Sequence, residues 1–106
     1  MIPSRNTIRT TASRFPRTIA LAKSLPVLAQ ADGIEPFDPA ALDAWAVAAE
    51  QDGRIAALFS ARFVLHVFDC RRKWACGRFD LMPAMRAWDD LHQAAFRAWA
   101  AHPFQE

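Results

Sequence analysis

No acidic residue occurs between Met1 and Ala31, whereas five cations do: Arg5, Arg9, Arg14, Arg17 and Lys23. The chain as a whole nevertheless carries a formal charge of only +2. That total is too small for a general nucleic-acid or membrane binder, so electrostatic recognition has to come from local clustering. Glycine is scarce at three residues, and no Gly-rich phosphate loop, H-E-x-x-H or G-x-S-x-G occurs. No window approaches about 18 uninterrupted apolar residues, which argues against a transmembrane helix. Cysteine is limited to Cys70 and Cys76, separated by five residues. This is neither the C-x-x-C of thioredoxin-like redox sites nor the doubled close pair of structural zinc, so no metal and no cofactor is expected.

What is abundant is apolar: 53% of the residues are hydrophobic, with four Trp and eight Phe, against 23% charged. Such a chain folds, and 106 residues make one domain with one core. Alanine dominates, and alanine favours helix where strands favour β-branched residues. The expectation is an all-α, single compact domain of about four helices, with residues 1–16, "MIPSRNTIRTTASRFP", as a flexible basic arm that Ile8 and Phe15 could pin.

A short helix is expected over residues 17–30, burying Ile19, Leu21, Leu25 and Leu28, with Pro26 breaking or kinking it. Asp38 as N-cap and Pro39 at the first helical position open a helix to about Asp52, with Leu42, Trp45, Ala46 and Ala49 on one face and Asp43 and Glu50 turned away. Gly53 supplies its stop. Residues 54–69, "RIAALFSARFVLHVFD", are apolar nearly all round and describe the central buried helix. A hairpin over residues 63–79 is the alternative. A last helix starts at Asp80 and ends before Pro103. It carries Arg86, Asp90, Gln93 and Arg97 in a polar stripe, with Trp88, Leu91, Ala95 and Trp99 opposite. Arg86 and Asp90 are i, i+4 partners there, worth ~0.3 kcal/mol.

The acid-free start followed by "IALAKSLPVLAQA" imitates a secretory signal with Ala29-Gln30-Ala31 as cleavage site, but Lys23 and Pro26 interrupt its apolar run and the basic region is unusually long. An intact cytoplasmic protein is expected.

The chemistry-bearing stretch is "CRRKWACGRF", Cys70 to Phe79. As a metal site it offers His66 and Cys70 at i, i+4 with Cys76 nearby, and His92 or His102 as further ligands, but no second thiol pair. Neither thiol has an obvious base. His66 sits on a narrow polar edge, His102 on a terminal turn, and His92 projects among Trp88, Trp99 and Leu81 as a satisfied core histidine. Asp89 and Asp90 diverge by about 100° on a helix and cannot share a proton. An enzyme is not expected. Residues 39–69 imitate a helix-turn-helix, yet the second helix is too apolar to face bases. What remains is the basic loop itself: Arg71, Arg72, Lys73, Trp74 and Arg78. It either holds nucleic-acid phosphates weakly while Trp74 stacks a base, or docks on an acidic protein surface; the bland alternative is a solvated loop with Trp74 packed inward.

In size, helical build and absence of catalytic motifs, and in Ala, Arg, Trp and Asp usage such as "PAMRAWDDLHQAAFRAWAAHP", the chain resembles the small anti-CRISPR proteins of phages and mobile elements. The resemblance implies a monomeric inhibitor in the bacterial cytoplasm. It would bind a Cas surveillance-complex subunit or helicase-nuclease and block DNA recruitment or cleavage.

Overall fold

A computed structural model describes residues 14–106. Among them the chain is all-helical, with five α-helices and no strand: α1 Pro16–Lys23, α2 Pro39–Gln51, α3 Ile55–Phe68, α4 Leu81–Ala87 and α5 Asp90–Ala101. Most of the expected basic arm, Ile8 included, lies outside the described residues. At its end, Phe15 packs edge-on against Phe37 and Phe68, with ring centroids 6.1 and 5.0 Å apart, and Pro16 begins α1.

Helix α1 is shorter than residues 17–30. It stops at Lys23, where the Ser24 hydroxyl donates to the Leu21 carbonyl at 2.6 Å, and Pro26 opens a separate 3-10 turn, Pro26–Leu28. Proline has no N–H to continue an α-helix, so the break falls where its ring dictates. Ile19, Leu21, Leu25 and Leu28 are all buried. The segment patterned like a signal sequence is thus part of the core.

Helix α2 starts as its sequence requires. The Asp38 carboxylate accepts the Ala41 N–H at 3.3 Å, Pro39 takes the first helical position, and Gly53 follows the helix end at φ +74°. Leu42, Ala46 and Ala49 are fully buried. Helix α3 packs against α1, the 3-10 turn, α2 and α4, and buries Ala57, Leu58, Ser60, Ala61, Phe63, Val64, Leu65 and Val67. Residues on every side of an element are buried together only when it is surrounded, which explains why "FVLHVF" continues the helix instead of forming the alternative hairpin. Residues 69–80 contain no strand.

The expected last helix is two helices. Trp88 has extended backbone (φ −84°, ψ 141°), and Asp89 caps α5 by accepting the His92 N–H at 3.0 Å. Gln93 donates to the Met85 and Trp88 carbonyls at 3.0 and 3.1 Å, satisfying acceptors that the break would otherwise leave free. With the helix interrupted, Arg86 and Asp90 form no ion pair, and Leu91 is 65% exposed instead of lying on an apolar face. Trp88 joins an aromatic cluster centred on Phe63, whose ring lies 5.2 to 5.8 Å from those of Phe79, Phe96, Trp99 and Trp88.

At the other end, the Glu106 carboxylate accepts the N–H groups of Thr18 at 2.8 Å and Arg17 at 3.2 Å, capping the first turn of α1. Among the described residues no helix is long and apolar enough to cross a membrane.

Candidate binding surface

The connector between α3 and α4, residues 69–80, has no regular secondary structure, yet it is fastened to two helices. Asp43 of α2 holds it with both carboxylate oxygens: Oδ2 accepts the Ala75 N–H at 2.9 Å and Oδ1 the Cys76 N–H at 2.8 Å. Arg62 of α3 holds it from the other side, Nε donating to the Cys76 carbonyl at 2.7 Å. Bonds to charged groups are roughly twice as strong as neutral ones, so the peptide units around Cys76 are pinned at both polar ends. The turn closes with the Gly77 N–H on the Trp74 carbonyl at 3.0 Å. Gly77 stands at φ +99°, where a side chain is strained, and a Cβ there would lie 2.7 Å from Arg62 Nη2 and push on the guanidinium that holds the loop.

Outside these anchor points the loop is a row of free cations. Arg71, Arg72, Lys73 and Arg78 are exposed, and none forms an ion pair among the described residues. Asp43 is spent on backbone, and Asp69 accepts the Arg71 N–H at 3.1 Å. Trp74 is half-buried, with its ring 6.4 Å from that of Phe68 and the Arg72 guanidinium 4.4 Å above its centroid. Its indole N–H is shut from solvent with no acceptor among the described residues. The Arg72 cation thus occupies one face of the ring that a stacked base would need.

The thiols are unlike each other. Cys70 is exposed and Cys76 is 1% exposed; both are free. Burial, and then the neighbouring Asp43 carboxylate, push the Cys76 thiol up to about 12. It is therefore a protonated, poorly nucleophilic packing residue at neutral pH. His92 is buried and doubly bonded: Nδ1 meets Asp89 Oδ1 at 2.6 Å, and Nε2 accepts the Val27 N–H at 3.2 Å, which fixes the Nδ1–H tautomer. The same contact holds the Asp89 carboxyl below its usual range. His66 and Cys70 line one shallow groove with Trp99 and Phe104. Among the described residues no group of three or more His, Cys, Asp or Glu side chains is placed to hold a metal ion.

Of the five loop residues expected from sequence, the structure brings Arg71, Arg72, Lys73 and Arg78 to the surface of one connector and lays Trp74 beneath Arg72. Asp43, which holds the Ala75 and Cys76 amides of the connector, was assigned only to the outer face of its helix. No protein-family model, curated protein or solved structure matches the chain.

Proposed function

We propose that the protein is a non-enzymatic binding module that docks on an acidic surface of a partner protein through the loop Arg71–Arg78. The observation that carries this reading is the combination of four exposed, unpaired cations with a backbone pinned by Asp43 and Arg62. A preorganised cationic loop loses little conformational freedom on docking, and charge complementarity selects its partner. The Arg72 guanidinium over Trp74 favours a protein partner over single-stranded nucleic acid, which would need that ring for stacking. The bonded state of His92 and the raised thiol of Cys76 supply no nucleophile or base. The resemblance to anti-CRISPR proteins adds one specific target, a Cas component whose DNA recruitment or cleavage is occluded.

The test is affinity capture on purified type I surveillance complex and helicase-nuclease, comparing wild type with Arg71→Glu/Arg72→Glu/Lys73→Glu, beside a phage-challenge assay. Retention lost in the charge-reversed variant, with protection of phage, supports the reading. Equal retention by both proteins removes the loop from it. Sequence-independent DNA binding that weakens steeply with salt in mobility shifts would replace it by the nucleic-acid alternative.

A further inference from the structure

Arg62 is held more firmly than its partner in the loop requires. Its side chain is only 17% exposed; Nε is spent on the Cys76 carbonyl at 2.7 Å, and the guanidinium sits 5.3 Å over the Phe59 ring. Nη2 is ion-paired with Glu50 Oε2 at 3.8 Å, a separation too long for a hydrogen bond, so the Nη hydrogens make no hydrogen bond among the described residues. The cation is bonded at Nε and ion-paired at Nη2, and it keeps Nη hydrogens available to a further acceptor.

Arg62 also lines a recess of ≈ 520 Å³ together with Arg78, Phe79 and Asp80. Arg78 makes no ion pair among the described residues, and residues 1–13 contain no acid that could supply one. Asp80 occupies the N-cap position of α4, but its carboxylate accepts no capping bond and pairs with neither arginine. Phe79 is fixed as a wall by stacking on Trp88, with ring centroids 5.7 Å apart and planes at 27°.

We propose that this recess binds a small phosphate monoester of a polyol, of the sugar-phosphate or nucleotide class. Two arginines lining one recess offer guanidinium groups, which suit a tetrahedral dianionic oxyanion through paired N–H···O bonds. Asp80 accepts but cannot donate, and it repels phosphate. Its place is therefore against the hydroxyl donors of the alcohol part, and a bare phosphate leaves it unpaired. The recess is open to solvent, which leaves room for the alcohol part of an ester beside its phosphate. The recess shares Arg78 with the proposed docking loop, and Asp80 separates the two: it lies outside Arg71–Arg78, so its substitution tests the recess without touching a docking cation.

The test is a ¹H–¹⁵N NMR titration of the full chain with ribose 5-phosphate, adenosine 5′-monophosphate, ribose and inorganic phosphate. Saturable shifts at Gly77, Arg78, Phe79 and Asp80 are expected with the two esters and none with ribose; the tighter of the two esters tells nucleotide from sugar phosphate. Arg78→Ala should weaken ester binding about tenfold or more, with Arg78→Lys restoring part of it. Asp80→Asn should tighten inorganic phosphate more than the ester, because the repelling charge is gone for both while only the ester loses a charged acceptor for its hydroxyls. The proposal is overturned by any of four results: no saturation at millimolar ester, shifts confined to Arg71–Lys73, unchanged affinity in Arg78→Ala, or inorganic phosphate binding as tightly as the ester.

Discussion

Trp88 donates its indole N–H to the Ser60 hydroxyl at 2.9 Å, joining the residue between α4 and α5 to the centre of α3 with both side chains buried. The contact explains how a tryptophan with a polar atom can sit in the core at 4% exposure. Trp88→Ala is expected to cost roughly 3 to 5 kcal/mol as a large-to-small core change. Ser60→Ala, which orphans the buried N–H, is expected to cost about 1 to 3 kcal/mol. Urea unfolding measures both, and a Trp88→Ala cost under about 1 kcal/mol would place the ring outside the core.

Removing the Asp43 carboxylate should release the loop without unfolding the bundle. In Asp43→Ala the Ala75 and Cys76 amides lose their acceptors, so their hydrogen exchange should accelerate while that of α3 stays slow. A thiol reagent should modify one cysteine rapidly in the wild type, Cys70, and two in the variant. The stability cost should be about 2 kcal/mol.

Cys76 makes stability fall at alkaline pH. Its thiol ionises at an ordinary 9.0 when unfolded but only at about 12 when folded. The unfolded state therefore loses the proton first, and the contribution is full below pH 9 and shrinks as pH rises towards 12. The slope reaches at most ~1.4 kcal/mol per pH unit. Comparing urea midpoints of wild type and Cys76→Ala across that window isolates the thiol; a constant difference would refute it.

Glu106 acts at the opposite end of the scale. Burial alone would raise its carboxyl, but the N–H groups of Thr18 and Arg17 prevail and hold it below its ordinary 4.5. Its cap on α1 is therefore complete above pH 4.5 and is lost as pH falls through the lower, folded value. Glu106→Ala should cost about 1 kcal/mol at neutral pH and nothing once the carboxyl is protonated. Thermal melts at neutral and strongly acidic pH would show the gap closing.

The parts of this fold that were legible are those written in local signals. Asp38-Pro39 at one end and Gly53 at the other delimit α2, and the nearly unbroken apolarity of α3 announces its central place. The break at Trp88 was hidden because residues 81–101 keep one helical period across it. The available clue was Asp89 three residues ahead of His92, the spacing of a cap, which competes with the reading of Asp89-Asp90 as an idle carboxylate pair. The cations of the candidate site were readable as a charge cluster. Their anchoring was not, since periodicity says only that Asp43 lies off the apolar face and nothing about the amide it meets 33 residues later. The position of Trp74 was undetermined for a related reason: an irregular loop has no period from which to project a side chain.

The grip of Asp43 and Arg62 on the peptide units around Cys76 has a kinetic consequence. Charges carried on a floppy loop must be gathered after encounter, whereas the proposed docking would start from a loop whose backbone is already held at Ala75 and Cys76. If the proposed docking holds, long-range attraction would act on the approach and short-range packing would govern the departure. Raising the ionic strength should slow association by an order of magnitude or so while leaving the residence time almost untouched.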